Sequence, residues 1–341
     1  MNDRSRVHGG PRAATLAQVA SLAQVSEITV SRIIRNKGPI AEKTRERVMA
    51  VVREIGYVPN KVAGALASAG SNLMGVILPS LSNIVFPEVL RGVHDALGAS
   101  GYQPVVGVTD YDIDTEETLV QSLLAWKPAA MIIAGFDHSP TTRRMLTNSG
   151  VRIAELMDID SRAIDIAVGF SHREAGYASG EHLLARGYRR FGYVGHDWTR
   201  DVRARLRYEG FREALAKAGA TIVAETLVEG RSSTLAGRAK LAELLAAAPD
   251  FDAVYFSNDD MAVGGVFHCL GAGIVLKDQL AIFGFNGLDI GEALPTPLST
   301  VRSNRYLIGR LAVEKILENP QRSPNPVVID TGYEIVVGAT A

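Results

Sequence analysis

The residues of this sequence best equipped for chemistry are cationic and amidic rather than nucleophilic. Arg203, Arg205 and Arg207 crowd the segment after an apolar run at 191–195, and Arg207 opens an R-x-x-G-F piece with Gly210 and Phe211. A guanidinium presents a planar fork of donors that can clamp a carboxylate or a pair of hydroxyls. The other use of Arg207 is an ion pair with Asp201 or Glu209. Asn258 and Asp259 follow the apolar run 253–257 and begin a helix, so Asn258 can face a bound molecule while Asp259 caps. Asp158 closes the run 152–157, where its carboxylate can accept from hydroxyls. His138 follows the run 130–134 in a loop, from which it can reach the same space or face solvent.

Covalent, nucleotide and metal chemistry find no support. There is no GxGxxG after the first apolar run, no GxxxxGK[ST], no H-E-x-x-H among the seven histidines and no G-x-S-x-G. No enzyme activity, cofactor or metal is therefore expected. The single cysteine, Cys269, excludes an intrachain disulfide and fits a reducing cytoplasm. It lies in the apolar stretch 263–270 and reads as a buried core thiol.

A second group of polar residues lies near the N-terminus. Thr15 can cap a helix carrying Leu16, Val19, Ala20 and Ala23 at helical spacing. Ser26 can cap a second helix, with Val25 and Val30 as a hydrophobic staple. A third carries Val48, Val51, Val52 and Ile55 on one face and ends at Gly56. Two short helices with almost no linker make a helix-turn-helix, and the third completes a small core. With Val30, Ile33 and Ile34 turned inward, Glu27, Ile28 and Arg32 are left for base edges in a major groove. Arg32 suits a guanine, Glu27 a cytosine amino group, and Ile28 a thymine methyl. Ser26, Thr29 and Ser31 offer hydroxyls to phosphates. A solvated helix with ordinary caps is the competing reading. Next, Asn60 can cap a short helix containing Gly64, too short to stand alone. Paired in a minor groove, two such helices could insert Leu66 as a wedge; otherwise the segment is a plain linker.

Charge is distributed to match. The chain of 341 residues has a formal net charge of -1, yet residues 1–70 hold 11 Lys/Arg against 5 Asp/Glu. A basic head on an acidic body is expected when only the head meets phosphates. Mean hydropathy is +0.08, and no apolar run reaches the roughly 18–20 residues of a membrane span. Arg4, Arg6 and Arg12 have no apolar core behind them, so residues 1–14 read as a disordered tail rather than a secretory signal.

The rest must hold the arginines and amides in place. Short apolar runs at 74–78, 104–108, 130–134 and 152–157 alternate with helical patterns at 88–97 and 116–124. The alternation resumes with runs at 191–195, 221–227, 253–257 and 280–285, and helices at 175–185, 208–216 and 238–246. This predicts an α/β fold: an all-α head plus a two-lobed body of parallel sheets, parted near 169–172. Ligands in such sheets bind beyond the carboxyl ends of the strands, here in the cleft between lobes.

At this point the sequence resembles the LacI/GalR family of bacterial repressors. In the head the matching pieces are Val25-Ser26, Thr29-Val30-Ser31-Arg32, Lys43-Thr44-Arg45, Gly56-Tyr57, Pro59-Asn60 and Leu66. In the body they include Pro79-Ser80-Leu81-Ser82-Asn83 with Phe86, Gly187-Tyr188, Arg207 with Gly210-Phe211, Ser257 to Ala262, Gly284-Phe285-Asn286 and Leu298 to Val301. The resemblance implies a head at 15–58, a hinge helix and linker at 59–70 and an effector domain at 71–341. Lobe 1 would take about 71–169 plus 303–329, and lobe 2 about 170–302 plus 330–341. It implies phosphate contacts near Thr15, Thr29, Tyr57 and Asn60, and Leu66 intercalated at the centre of a palindromic operator. It further implies a homodimer, because the extra tetramerising helix of some members does not follow the last strand. Two departures stand out: Gln24 replaces the usual turn glycine, and Ala41 replaces a Ser or Thr cap.

The family aims Arg207 into the cleft, and the matched pieces add Asn83, Phe86, Phe170, Asn258 and Asn286 to a candidate effector site with Asp158. Sugar-binding relatives often carry Asp where this chain has Asn286, and losing that carboxylate favours an anionic ligand. The pieces 155–158, 168–172 and 284–287 look most like the gluconate-repressor branch. The expected function is a cytoplasmic, sequence-specific repressor controlled by gluconate or a similar sugar acid. A regulator responding to a neutral sugar or purine is the alternative within the class, and a solute-binding module the alternative outside it.

Overall fold

The computed structural model describes residues 14–59, 71–159, 162–247 and 250–341. It comprises two compact units, Met1–Ser71 and Asn72–Ala341.

In the first unit, α1 (Leu16–Ala23), α2 (Glu27–Ile34) and α3 (Glu42–Glu54) enclose one small core. Val19, Ala20, Ala23, Val30, Ile33, Val48 and Val51 are buried in it. Thr15 and Gln18 form a reciprocal capping box on α1. Gln24 ends that helix at φ 54° and ψ 48°, a left-handed residue where glycine would be unstrained; the side chain costs on the order of 1 kcal/mol. The tight turn is thus made without its usual glycine. Ala41 leaves α3 without a side-chain cap.

The second unit contains two parallel sheets. The first has β1 (Leu73–Leu78), β2 (Gln103–Val108), β3 (Ala130–Ala134), β4 (Arg152–Leu156), β5 (Ile166–Gly169) and β11 (Val327–Asp330), in the order β11-β5-β4-β3-β1-β2. The second has β6 (Arg190–His196), β7 (Thr221–Val228), β8 (Ala253–Phe256) and β9 (Ala281–Phe283), in the order β7-β6-β8-β9. An antiparallel pair, β10 (Thr300–Ser303) with β12 (Tyr333–Val336), continues its edge through bridges from Phe283 to Ser299 and from Asn286 to Arg302. The near-continuous burial of β1, β3, β4, β5 and β8 is what sheets covered on both faces require.

Helices α4 (Val85–Leu97), α5 (Ile113–Ala125) and α6 (Pro140–Asn148) connect the strands of the first sheet. Helices α7 (His172–Ala185), α8 (Val202–Lys217), α9 (Thr234–Ala247), α10 (Asp259–Ala272) and the short α11 (Asp289–Glu292) serve the second, and α12 (Arg305–Glu318) returns to pack on β4, β5 and α4. The chain passes between the sheets at 169–172, 303–305 and 330–333. In each sheet the strand order reverses beside the first strand entered, between β1 and β3 and between β6 and β8. Such switch points open a crevice at the carboxyl ends.

Candidate functional site

The head presents one polar face. Ser26 accepts the Thr29 amide at 3.2 Å and pairs with the Thr29 hydroxyl at 2.9 Å, so both hydroxyls are engaged in starting α2. Ser26, Glu27, Ile28 and Arg32 are exposed, Thr29 and Ser31 half-buried. Ile28 is 71% exposed although Val30 and Ile33 of the same helix are buried. A large aliphatic turned to water on an otherwise polar face suits contact with an apolar group of a partner. Arg32 runs alongside Gly38. Thr15 is exposed at the start of α1, and Tyr57 packs half-buried against the head core. Asn60 and Leu66 lie outside the described residues, as do most of the expected hinge and the expected tail. Replacing Ser26 by Ala should cost about 1 kcal/mol of head stability through the lost cap. Thermal melting of the protein, with the head transition followed by circular dichroism, measures it, and an unchanged melt refutes it.

The second site is a cleft of about 530 Å³, open to solvent, at the carboxyl ends of both sheets. From the first sheet come Ser80, Ser82 and Asn83 after β1, and Asp110 and Tyr111 after β2. From the second come His196 at the end of β6, Arg200 and Asp201 after it, Arg231 and Ser232 after β7, and Asn258 after β8. Ser80 accepts the amides of Ser82 and Asn83, each at 3.2 Å, folding this loop so that Asn83 reaches Tyr111.

Below Asn258 lies a buried cluster. Arg207 on α8 donates to the Ser257 carbonyl at 3.1 Å and approaches Asn258 Oδ1 at 3.5 Å. Its guanidinium lies 4.4 Å from the centroid of Phe285. Nη1 meets His172 Nδ1 at 3.0 Å, while His172 Nε2 meets the Met157 carbonyl at 2.8 Å. A carbonyl only accepts, so Nε2 carries the ring proton and Nδ1 accepts from Arg207. Burial, aided by the charges of Arg207 and Arg203, holds His172 well below the ordinary histidine value, so it is neutral. The Asn286 side chain donates toward Asn258 at 3.5 Å. Phe170 is buried against His172, Phe285 and Tyr333.

Asp201 caps α8 by accepting the Ala204 amide at 3.1 Å. Although burial raises its pKa, Arg203, Arg207 and that amide bring it down to about 2, so it is charged. The described residues nevertheless supply too few acceptors: Arg203 Nη1 and Arg207 Nε are buried without a hydrogen-bond partner among them. The cluster therefore holds unpartnered cationic donors behind a cleft whose other wall carries hydroxyls, the Asn83 amide and the Asp110 carboxylate.

Several sequence expectations land elsewhere. Arg207 pairs directly with neither Asp201 nor Glu209; Asp201 meets Arg203 at 3.6 Å, and Glu209 meets Arg173 and Arg205. Asp259 does not cap α10. Its carboxylate accepts the Thr300 hydroxyl at 2.6 Å and the Leu288 amide at 2.8 Å, tying α10 to β10 and α11. Burial pushes it up to about 6. Phe86 is buried in the core, and its link to the cleft is Arg203, 5.2 Å over its ring. Of the expected effector residues only Asn83 and Asn258 line the cleft; Phe170, Arg207 and Asn286 lie in the buried cluster behind Asn258. Asp158 is not among the lining residues, its Oδ1 accepting the Ile159 amide at 2.8 Å.

His138 is neither in the cleft nor on the surface. It is buried with Glu116 Oε1 at 2.7 Å and Glu155 Oε1 at 3.5 Å. Burial disfavours its charge, but the hydrogen bond to Glu116 and the negative Glu155 prevail and push its pKa up to about 9. The folded state therefore holds this proton more tightly than the unfolded chain. The stabilisation is full below the ordinary value of 6.5 and is lost as pH rises through about 9. Melting temperature should fall across that interval, by a stability change on the order of 2 kcal/mol. His138→Gln should flatten the slope, and a variant with the wild-type slope excludes His138 as its source.

Ser80, Asp110, Tyr111, His196, Arg200 and Ser232 were not among the expected site residues. The signal that finds them is positional: each lies at or after the end of a parallel strand at or beside a switch point.

A three-helix head followed by a two-sheet receptor with a cleft at the strand ends defines a ligand-sensing DNA-binding class. Residues 15–60 match the family model for bacterial regulatory proteins of the lacI family, and residues 71–333 that for periplasmic binding proteins and the sugar-binding domain of the LacI family. The chain belongs to the LacI family. It is 39% identical to the HTH-type transcriptional regulator GntR of Pseudomonas aeruginosa, over 98% of this chain and 97% of that protein. It is 34% identical to the GntR regulator of Escherichia coli K12, over 95% and 98%. A solved LacI-family regulator from Silicibacter pomeroyi superposes with a TM-score of 0.90 at 43% identity, covering 96% of this chain and 99% of that one. The protein is thus a DNA-binding transcriptional regulator, not an enzyme. Among the described residues no helix is long and apolar enough to cross a membrane.

Proposed function

We propose that this regulator is a homodimeric repressor released from a palindromic operator by a sugar acid of the gluconate type. The observation that carries the ligand class is the buried Arg207 with the half-buried Arg203, whose unpartnered donors lie behind a cleft walled by Ser80, Ser82, Asn83, Asp110 and Tyr111. Donors of that kind clamp a carboxylate. Hydroxyls and amides on the facing wall suit a polyol chain. The amide of Asn286, in place of a carboxylate, removes a repulsion. The GntR names of the similar regulators point the same way.

In this reading the head reads the major groove through Glu27, Ile28 and Arg32. Thr15, Ser26, Thr29, Ser31, Tyr57 and Asn60 contact backbone, and residues 59–70 form a hinge whose Leu66 wedges the minor groove. Ligand releases DNA only if it binds the DNA-free state more tightly. An operator gel shift titrated with gluconate tests the scheme. Weaker operator binding on adding it supports release, and tighter binding reverses the sign. Arg32→Ala should lower the preference for operator over scrambled duplex by about 1–3 kcal/mol, the scale of one bidentate base contact. An unchanged preference would remove Arg32 from base reading.

A further inference from the structure

Between β2 and α5, residues 109–112 form a tight turn closed by the Asp112 amide donating to the Thr109 carbonyl at 3.0 Å. Its central residues, Asp110 and Tyr111, have φ of 51° and 61°. Two adjacent left-handed residues are the signature of a turn that favours Asn-Gly or Gly-Gly, because a Cβ there crowds the backbone. Neither residue is glycine, and one is an aromatic. Such strain persists where the surroundings over-determine it, and it gathers at ligand clamps and switches.

The surroundings of this turn come from both sheets. The Tyr111 hydroxyl receives a hydrogen bond from Asn83 Nδ2 at 3.3 Å. Its ring lies 6.0 Å from that of His196, at the end of β6 in the other lobe. Burial, then the nearby Asp201, raises the Tyr111 pKa, keeping the phenol protonated as a donor. The Asp110 carbonyl accepts Arg200 Nη2 at 2.6 Å, and its carboxylate lies 4.0 Å from Arg231 Nη2. Arg200 and Arg231 also belong to the second lobe, and all of these residues line the cleft. A turn strained in isolation thus sits where the lobes meet over the ligand space.

We propose that Asp110–Tyr111 is the effector-reading latch of this receptor: the Tyr111 phenol, with Asn83, reads a hydroxyl of the polyol chain, and the Asp110 backbone, with Arg200, fastens the lobes over it. This rests on the sugar-acid reading given above and extends it from the carboxylate end of the ligand to the hydroxylated end. The turn then discriminates among acids of one charge by the hydroxyls they carry.

The experiment titrates gluconate into the full-length protein by calorimetry, with Tyr111→Phe, Arg200→Ala and Asp110→Gly as variants and melting temperatures measured without ligand. Tyr111→Phe should bind about tenfold more weakly, the scale of one buried hydrogen bond. Arg200→Ala should likewise bind about tenfold more weakly, because the closed arrangement loses its fastening to the Asp110 carbonyl. Asp110→Gly should melt higher without ligand, since glycine relieves one left-handed residue. Gluconate affinities of Tyr111→Phe and Arg200→Ala within twofold of wild type overturn the latch, as does a lower ligand-free melt for Asp110→Gly. A wild-type protein that binds no sugar acid instead sinks the functional reading on which the latch stands, so the two failures are told apart.

Discussion

Arg207→Ala should uncouple the regulator from its effector while leaving ligand-free operator binding in place. Arg207 is 4% exposed, carries a charge and is aimed by three fixed partners: the neutral His172 ring, the Ser257 carbonyl and the face of Phe285. An arginine so constrained loses little entropy on gripping a carboxylate, so most of the interaction appears as affinity. Truncating one side of a buried charged pair costs roughly 2–5 kcal/mol, or about 30-fold to several-thousand-fold in binding. Under the release scheme proposed above, the gel shift of this variant should show no release at gluconate concentrations expected to free the wild type. Arg207→Lys should not restore the response, because a point charge cannot reproduce the fork. The head core is built from residues between Leu16 and Tyr57, so operator recognition has its own foundation. A variant that still responds normally would take Arg207 out of the effector site.

Gly176→Ala and Gly210→Ala should each lower the melting temperature of the receptor by about 6–12 °C, corresponding to about 3 kcal/mol in a unit of this size. These glycines let α7 and α8 touch backbone to backbone. A Cβ on Gly176 would lie 2.0 Å from the Arg207 carbonyl oxygen, and one on Gly210 1.9 Å from that of Arg173. Neither obstacle is a side chain that could swing aside, so the helices must part. Because Arg207 and His172 ride on these two helices, ligand affinity should fall with stability. Gly271→Ala, where a Cβ would meet nothing nearer than an Arg238 nitrogen at 3.7 Å, should be neutral or slightly stabilising, since alanine is the better helix former. Equal melting of all three variants would show that the close approach carries no cost.

How much of this was legible beforehand varied with how local the information is. The head helices, their caps at Thr15 and Ser26 and the inward positions Val30 and Ile33 follow from short-range spacing, and the structure places them there. The eight apolar runs fall within a residue or two of β1 to β4 and β6 to β9. β5, β10 and β11 were not read as strands, because they are short segments whose sheet is completed from far along the chain, β11 on β5 and β12 on β10. The site was legible only in part. Asn83, Asn258 and Arg207 stand out by type and by position after strands. That Arg207 is aimed by a neutral histidine and that Asp259 braces rather than caps depend on tertiary contacts no periodicity encodes. The opposed contacts on Asp110 and Tyr111 were invisible for the same reason, since they arise only when two sheets close on each other.

The passages of the chain between the sheets also set an order of events during synthesis. The three head helices are joined by short connections, and such local structure forms early and fast. The receptor cannot do the same. β11 completes the edge beside β5, and β12 pairs with β10, so both lobes wait for residues 327–336 to leave the ribosome. A nascent molecule can therefore hold a folded three-helix head while its two-sheet receptor is still incomplete.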